Sequence, residues 1–142
     1  MLDVRQIIRD SADVKQAMLD HCADAIQSAA DLMVSAAREG KKILWCGNGG
    51  SAATPSHSAG DWSKELGLPT IAHTDNIAAL TAWANDTDFE NVFVGQLSTF
   101  TSPGDVVIGF SGSGNSANVI KGIQYSKDNG CSTVAITGNY RG

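Results

Sequence analysis

Short apolar runs alternate with segments of helical periodicity along most of this chain of 142 residues. Each run is too short for a helix and fits a strand that is buried on both faces of a sheet. The runs lie at 43–46, 69–72, 106–110 and 133–136. Strands that alternate with helices in this way favour a parallel sheet with helices on both faces.

Two further helices are predicted before the first strand. The second carries an alanine-rich stripe, which we expect to pack against the rest of the domain or against another subunit, and Gly40 can end this helix. The stripe consists of Ile26, Ala29, Ala30, Met33, Ala36 and Ala37. We therefore expect one α/β domain over 1–142, with N-terminal helices in 1–40 and an α/β core in 41–142. The expected architecture is a three-layer αβα sandwich around a parallel, flavodoxin-like doubly wound sheet.

The charge balance limits the partners that the chain can have. Ten Lys and Arg residues stand against fifteen Asp and Glu residues, which gives a formal net charge of −5. We therefore expect neither nucleic-acid nor membrane binding, since no basic cluster and no long apolar stretch is present. Three widely spaced cysteines without a CxxC pair favour the reducing cytoplasm. An anionic ligand would have to be held by local dipoles.

Two loops rich in serine and glycine carry most of the functional information. CGNGGS at 46–51 follows the first predicted strand, and SGSGNS at 111–116 follows the third. In an open parallel sheet, ligands bind beyond the carboxyl ends of the strands, where helix N-termini and Ser or Asn side chains can hold phosphate. Neither loop has a Walker lysine or the GxGxxG spacing, so no nucleotide cofactor is expected. The alternative is two tight turns in which Ser or Asn caps a helix.

The stretches GNGGS at 47–51 and SGSGNSANVIKGI at 111–123 resemble the sugar isomerase (SIS) domain family and, within it, the phosphoheptose isomerases. The resemblance extends from the N-terminal helices to Gly138. It implies a phosphosugar aldose–ketose isomerase that converts sedoheptulose 7-phosphate to D-glycero-D-manno-heptose 7-phosphate. Members are usually homotetramers with active sites between subunits, and the helix at 25–37 is the candidate interface.

The same resemblance implies roles for individual residues. His57 aligns with a histidine that ligates zinc in many members, and Asp61 aligns with a glutamate that acts as the catalytic base. Zinc is therefore the one candidate cofactor, with His57 and Asp61 as its candidate ligands. Without the resemblance, a His/Asp pair at this spacing also fits a solvated helix face. Residues that align with the phosphate and sugar-phosphate contacts of the family are Asn48, Gly49, Ser51, Asp86, Ser111, Gly112, Ser113, Asn115 and Ser116.

Several departures from the family pattern keep a second hypothesis open. Asp61 is one methylene shorter than the family's glutamate, and Gly112 replaces a threonine of the phosphate loop. Lys64 and Glu65 stand where an arginine is expected. Family members also continue past the fourth strand with a fifth strand and a helix that bears a glutamine and a histidine, so we expect a fragment or a natural short relative. The second hypothesis is a non-catalytic regulator that binds sugar phosphates, or a protein-binding adaptor of the type that associates with a replication initiator.

Overall fold

A computed structural model describes residues 3–138. Its helices are α1 (Val4–His21), α2 (Ala23–Arg38), α3 (Gly50–Leu66), α4 (Ile77–Asp86), α5 (Val92–Phe100) and α6 (Ala117–Asp128), and its strands are β1 (Ile43–Gly47), β2 (Thr70–Ala72), β3 (Val106–Ser111) and β4 (Ser132–Thr137). The predicted alternation of strands and helices is confirmed. The described residues divide into two compact units, one that ends at Leu32 and one that begins at Met33.

The four strands form one parallel sheet in the order β2-β1-β3-β4. The chain first places β2 on one side of β1 and then β3 on the other, so the strand order reverses between β1 and β3. In doubly wound sheets, this switch point is where ligands bind. Gly47 pairs with Phe110 in the register, so β1 and β3 end side by side. The predicted parallel, doubly wound sheet is confirmed.

The side chains of β1 alternate between the two faces of the sheet. Leu44 and Cys46 belong to the main hydrophobic cluster with residues of α5 and α6, while Trp45 packs edge-on against Trp62 of α3 with ring centroids 4.9 Å apart. Helices therefore cover both faces, as expected for three layers. Burial of a large apolar side chain contributes roughly 1.5–3 kcal/mol to stability. Burial also raises the pKa of Cys46 to about 12, so this thiol is a neutral packing group.

A buried carboxylate anchors the start of β3. Asp105 accepts hydrogen bonds from the backbone N–H of Lys42 at 2.9 Å and of Ser102 at 2.8 Å. It also pairs with the ammonium of Lys42 at 2.8 Å. Burial alone would raise the pKa of Asp105, but these hydrogen bonds and the lysine charge outweigh it and lower the pKa. The stretch Pro103-Gly104-Asp105, which has the composition of a turn, thus ties β3 to the residue that precedes β1.

Three local predictions differ from the structure. The sequence offers Asp75 as the cap of a short helix after the second strand, but Asn76 caps α4, because the helix begins at Ile77 and the Asn76 side chain accepts from the backbone N–H of Ala79 at 3.1 Å. The sequence also predicts a helix with one apolar face formed by Phe89, Val92, Phe93, Leu97 and Phe100, but a 3₁₀ turn over Phe89–Asn91 comes first and α5 begins at Val92. Phe89 and Phe100 are exposed, whereas the other apolar residues predicted for that face are buried.

The two N-terminal helices expose most of their apolar residues. Ala36 is the one residue of α2 that is buried, and α1 has none among the part of the chain described here. The exposed large apolar side chains of α1 are Val4, Ile7, Ile8, Val14, Met18 and Leu19. Over residues 3–138, no helix has the length and apolar character needed to cross a membrane.

Candidate functional site

The two serine- and glycine-rich loops meet at one open cleft beyond the ends of β1 and β3. The cleft has a volume of about 410 Å³. It is lined by Asn48, Gly50, Ser51, Phe110, Ser111, Gly112, Ser113 and Ser116. Most of the residues predicted to bind the sugar phosphate are therefore brought together, and the place is the switch point of the sheet. Phe110 also lines this cleft, which was not predicted because the sequence pattern around it indicates only a strand.

Both helices that begin at the cleft lack a side-chain cap. The helix α3 follows Gly49, which has a φ of +57°, and α6 follows Ser116; neither residue makes a capping hydrogen bond from its side chain. By contrast, Asp3 caps α1 and Asn76 caps α4 in the usual way. The N-cap residues of α3 and α6 therefore do not make the side-chain caps that the alternative interpretation requires. The first-turn N–H groups of α3 and α6 give this end of the sheet a positive potential that suits an anion.

The serines of the second loop are arranged as a set of donors. The buried Ser111 hydroxyl lies 3.0 Å from the Ser116 hydroxyl and donates to it, which leaves the Ser116 proton for another acceptor. Ser113 accepts the backbone N–H of Asn115 at 3.1 Å, and its own hydroxyl proton is likewise left for an acceptor. Asn115 is exposed and does not line the cleft. Its contribution within the loop is this backbone hydrogen bond.

The first loop passes very close to its neighbours. A Cβ atom on Gly47 would overlap the carbonyl oxygen of Ser51 and would lie 3.1 Å from the carbonyl oxygen of Phe110. Only a residue without a side chain allows β1 to end against both groups. Gly47 opens the GNGGS stretch that the sequence singles out, but its close approach to Ser51 and Phe110 was not predicted; its position as the last residue of a buried strand was the available signal.

His57 and Asp61 form the predicted pair on α3 but lie outside this cleft. His57 Nε2 is 3.1 Å from Asp61 Oδ2, and the side chains are 81% and 57% exposed. The pair has the chemistry of a carboxylate base with an imidazole partner. As metal ligands the two residues supply half of the four positions that zinc usually fills. Among residues 3–138, no group of three or more His, Cys, Asp or Glu side chains could hold a metal ion.

Asp86 is not brought to the cleft. It is exposed at the end of α4, where it accepts a hydrogen bond from the Asn85 side chain at 2.8 Å. It lines a separate cavity of about 150 Å³ with Ala82, Trp83 and Thr87. Asp86 therefore does not lie among the residues that line the cleft, and its contact with the sugar phosphate stays a prediction.

His73 lies buried beside a second cavity of about 610 Å³ between α3, β2 and α5. Its position after the second predicted strand predicts a partly exposed loop histidine, but His73 is 1% exposed, so this prediction is wrong. The His73 backbone N–H donates to the Trp45 carbonyl at 2.9 Å, which extends the pairing of β2 with the buried strand β1 by one residue. Burial lowers the pKa of His73 to about 4, outweighs the opposing effect of the Gln96 side chain and keeps the ring neutral near pH 7. Within residues 3–138, its Nε2 has no hydrogen-bond partner.

Comparison with known proteins identifies the family. Residues 6–138 match the model of the SIS domain. The phosphoheptose isomerase of Aquifex aeolicus is 43% identical over 144 residues, a match that covers 98% of this chain and 75% of that protein. The enzyme of the same name from Rhodospirillum rubrum is 41% identical and covers 96% of this chain and 74% of its own length.

Solved structures agree with these relatives. Phosphoheptose isomerase GmhA from Neisseria gonorrhoeae superimposes with a TM-score of 0.91 at 37% identity, over 98% of this chain and 75% of that one. A phosphoheptose isomerase from Francisella tularensis gives a TM-score of 0.88 at 31% identity, over 100% of this chain and 78% of that one. The chain therefore belongs to the SIS-domain family and, within it, to the phosphoheptose isomerases.

Proposed function

We propose that the chain interconverts sedoheptulose 7-phosphate and D-glycero-D-manno-heptose 7-phosphate, with the phosphoryl group held between the GNGGS and SGSGNS loops. The observation that carries the proposal is the cleft, where two uncapped helix N-termini and several serine hydroxyls converge. Neutral donors at a helix N-terminus favour a phosphate group even in a protein of net charge −5.

The phosphate group would be held mainly by the second loop. Ser113 and Ser116 supply hydroxyl protons, while Ser111 holds Ser116 in place at 3.0 Å. Gly112 lines the cleft and can supply only backbone groups there. Hydrogen bonds of this kind to a charged group contribute about 1.5–3 kcal/mol each. Binding of the phosphate end would orient the sugar before the proton transfer begins.

The reacting carbons lie at the opposite end of the seven-carbon chain from the phosphate. The isomerisation moves a proton from the hydroxymethyl carbon of the ketose to its carbonyl carbon through an enediol, and it needs a base near both carbons. We assign this role to Asp61, with its carboxylate oriented by His57 at 3.1 Å. Ser51 lines the cleft, and His57, the partner of the base, lies six positions further along α3, a rise of about 9 Å along the axis. This spacing supports a base that acts away from the phosphate end.

A zinc ion beside His57 and Asp61 belongs to the same proposal. An imidazole nitrogen and a carboxylate oxygen are suitable zinc ligands, but residues 3–138 bring no third His, Cys, Asp or Glu to the pair. A complete site would need ligands from other residues or from another subunit. When bound, zinc would supply a Lewis acid for the enediolate oxygen. Metal analysis of the purified protein and of His57→Ala tests this, and equal zinc content in both would contradict it.

Assembly into a homotetramer through the N-terminal helices is also part of the proposal, as is location in the cytoplasm. The exposed apolar residues of α1 support the assembly, because a soluble helix seldom leaves so many uncovered. Light scattering should find a tetramer for the native chain and a smaller species for Ile8→Lys. The exposed, polar control Gln6→Lys should remain tetrameric. A monomeric native protein would contradict the assembly without affecting the assigned base.

The catalytic assignment is tested by following aldose formation from sedoheptulose 7-phosphate. We expect Asp61→Asn to lower kcat by about 10²–10⁴-fold, the usual contribution of a general base, while substrate affinity is retained. Glu65→Gln is the matched control, since it removes a carboxylate that lies one turn further along α3 and pairs with Lys64. If both variants keep native turnover, Asp61 is not the base. A native protein that binds the substrate but never converts it would be a sensor, and the proposal would fail.

A further inference from the structure

Two asparagine side chains join the two loops of the cleft. The Asn48 carboxamide donates from Nδ2 to Asn118 Oδ1 at 2.8 Å, and Asn118 Nδ2 donates to Asn48 Oδ1 at 2.9 Å. Asn48 lines the cleft, whereas Asn118 is 3% exposed and does not. The pair connects the end of β1 to the first turn of α6, across 70 positions of sequence. A reciprocal pair of this kind holds both amide planes more firmly than a single hydrogen bond would.

A third hydrogen bond determines which way round the pair is arranged. The backbone N–H of Val119, one of the first-turn donors of α6 without a partner in the helix, donates to Asn118 Oδ1 at 3.0 Å. The amide atom of Asn118 beside this N–H must therefore be Oδ1, and the other must be Nδ2. The Asn48 carboxamide is fixed in turn, with its Nδ2 opposite Asn118 Oδ1 and its Oδ1 opposite Asn118 Nδ2. Its amino group keeps one hydrogen that is not used by the pair.

We propose that Asn118 is a positioning residue for substrate binding, which holds the Asn48 carboxamide so that its remaining N–H is available to the phosphosugar. This inference rests on the proposed function of the cleft. Asn118 has no contact with the cleft itself, so its whole effect passes through Asn48 and through the distance between the two loops. The preference for asparagine follows from the need to accept one hydrogen bond from the backbone and to exchange two with a second amide.

The test is a double-mutant cycle that uses the full chain and inorganic phosphate as the probe. We expect Asn118→Leu, which removes the amide at similar volume, to raise the dissociation constant for phosphate and the KM for sedoheptulose 7-phosphate about tenfold, as the loss of one hydrogen bond to a charged ligand does. The value of kcat should change far less. Asn48→Ala should have a similar effect. The double variant should be no worse than Asn48→Ala alone, because Asn118 acts through that residue.

The control separates positioning from stability. Ser126 is also buried in α6, where its hydroxyl donates to the Gly122 carbonyl at 2.8 Å, and it does not line the cleft. Ser126→Ala should lower the melting temperature without a change in phosphate affinity. Where Asn118→Leu does not fold, Asn118→Ala takes its place in the same cycle. If the effects of Asn48→Ala and Asn118→Leu on affinity simply add in the double variant, the inference is overturned and the isomerase proposal stays intact. A native chain that binds neither phosphate nor substrate would overturn both.

Discussion

The close approach of the first loop to its neighbours makes Gly47→Ala a sharp test of the cleft. The added methyl group would overlap the Ser51 carbonyl oxygen and would press on the Phe110 carbonyl oxygen at 3.1 Å. Both obstacles are backbone atoms, so no side-chain rotation can relieve the overlap, and the loop or α3 must move. Overpacking of this kind typically costs about 1–3 kcal/mol, which corresponds to a fall in melting temperature of roughly 3–10 °C for a domain of this size.

Gly50→Ala is the matched control for that substitution. Gly50 lies in the same loop, at the start of α3, and a Cβ atom there would meet nothing within 4 Å. Its φ is not positive, so alanine should be neutral or should stabilise the protein by about 0.4–1 kcal/mol. Thermal unfolding should therefore separate the two variants; because Gly50 lines the cleft, it is a control for packing and not for phosphate affinity. The reasoning is refuted if Gly47→Ala has the melting temperature of the native protein and binds phosphate with the same affinity.

Three further outcomes follow from the buried polar groups and the serine loop. Stability should fall as the pH drops from 6.5 towards 4, because the unfolded chain binds a proton at His73 that the folded chain, with a pKa of about 4, does not. The difference of about 2.5 between the two pKa values amounts to about 3 kcal/mol of unfolding free energy at most. In chemical unfolding, His73→Leu should lack this fall in stability at low pH, whereas His57→Leu should keep it. Asp105→Asn should cost about 1.5–3 kcal/mol in urea unfolding, since its amide cannot replace the charged hydrogen bonds; an unchanged midpoint would show that they contribute nothing. Ser113→Ala should weaken phosphate binding by about 1–2 kcal/mol in a calorimetric titration, and unchanged affinity would remove Ser113 from the site.

Much of the fold could be predicted because its signals are local. Apolar runs such as 43–46 and 106–110 are bounded by lysine pairs, glycines or prolines, so their lengths and the change of period are visible in the sequence. Once the sheet is parallel, the loop after each strand must lie at the same edge. The meeting of the GNGGS and SGSGNS loops follows from that topology without any knowledge of side-chain packing.

The features that could not be predicted depend on contacts distant in sequence or on small differences between neighbours. The burial of His73 rests on its backbone hydrogen bond to Trp45, which no pattern around His73 reveals. Asn118 and Asn48 are 70 positions apart, so their pairing appears only when β1 and β3 are adjacent. Asp75 and Asn76 are adjacent and both side chains are good helix caps, so the choice depends on whether the helix begins one residue earlier or later.

The chemistry of the cleft also predicts how binding should respond to salt. Where lysine and arginine side chains dominate recognition of a phosphate group, affinity falls as ionic strength rises, since the charges are screened beyond about 10 Å or less. Here the donors are hydroxyl and backbone N–H groups at short range, and the long-range field of a protein with net charge −5 repels the ligand. Added salt therefore screens the repulsion and leaves the hydrogen bonds largely intact. We expect the dissociation constant for sedoheptulose 7-phosphate to stay constant or to fall between low and high ionic strength in calorimetric titrations with a non-phosphate buffer. A steep rise would mean that cationic side chains, and not the neutral donors of the two loops, provide most of the binding energy.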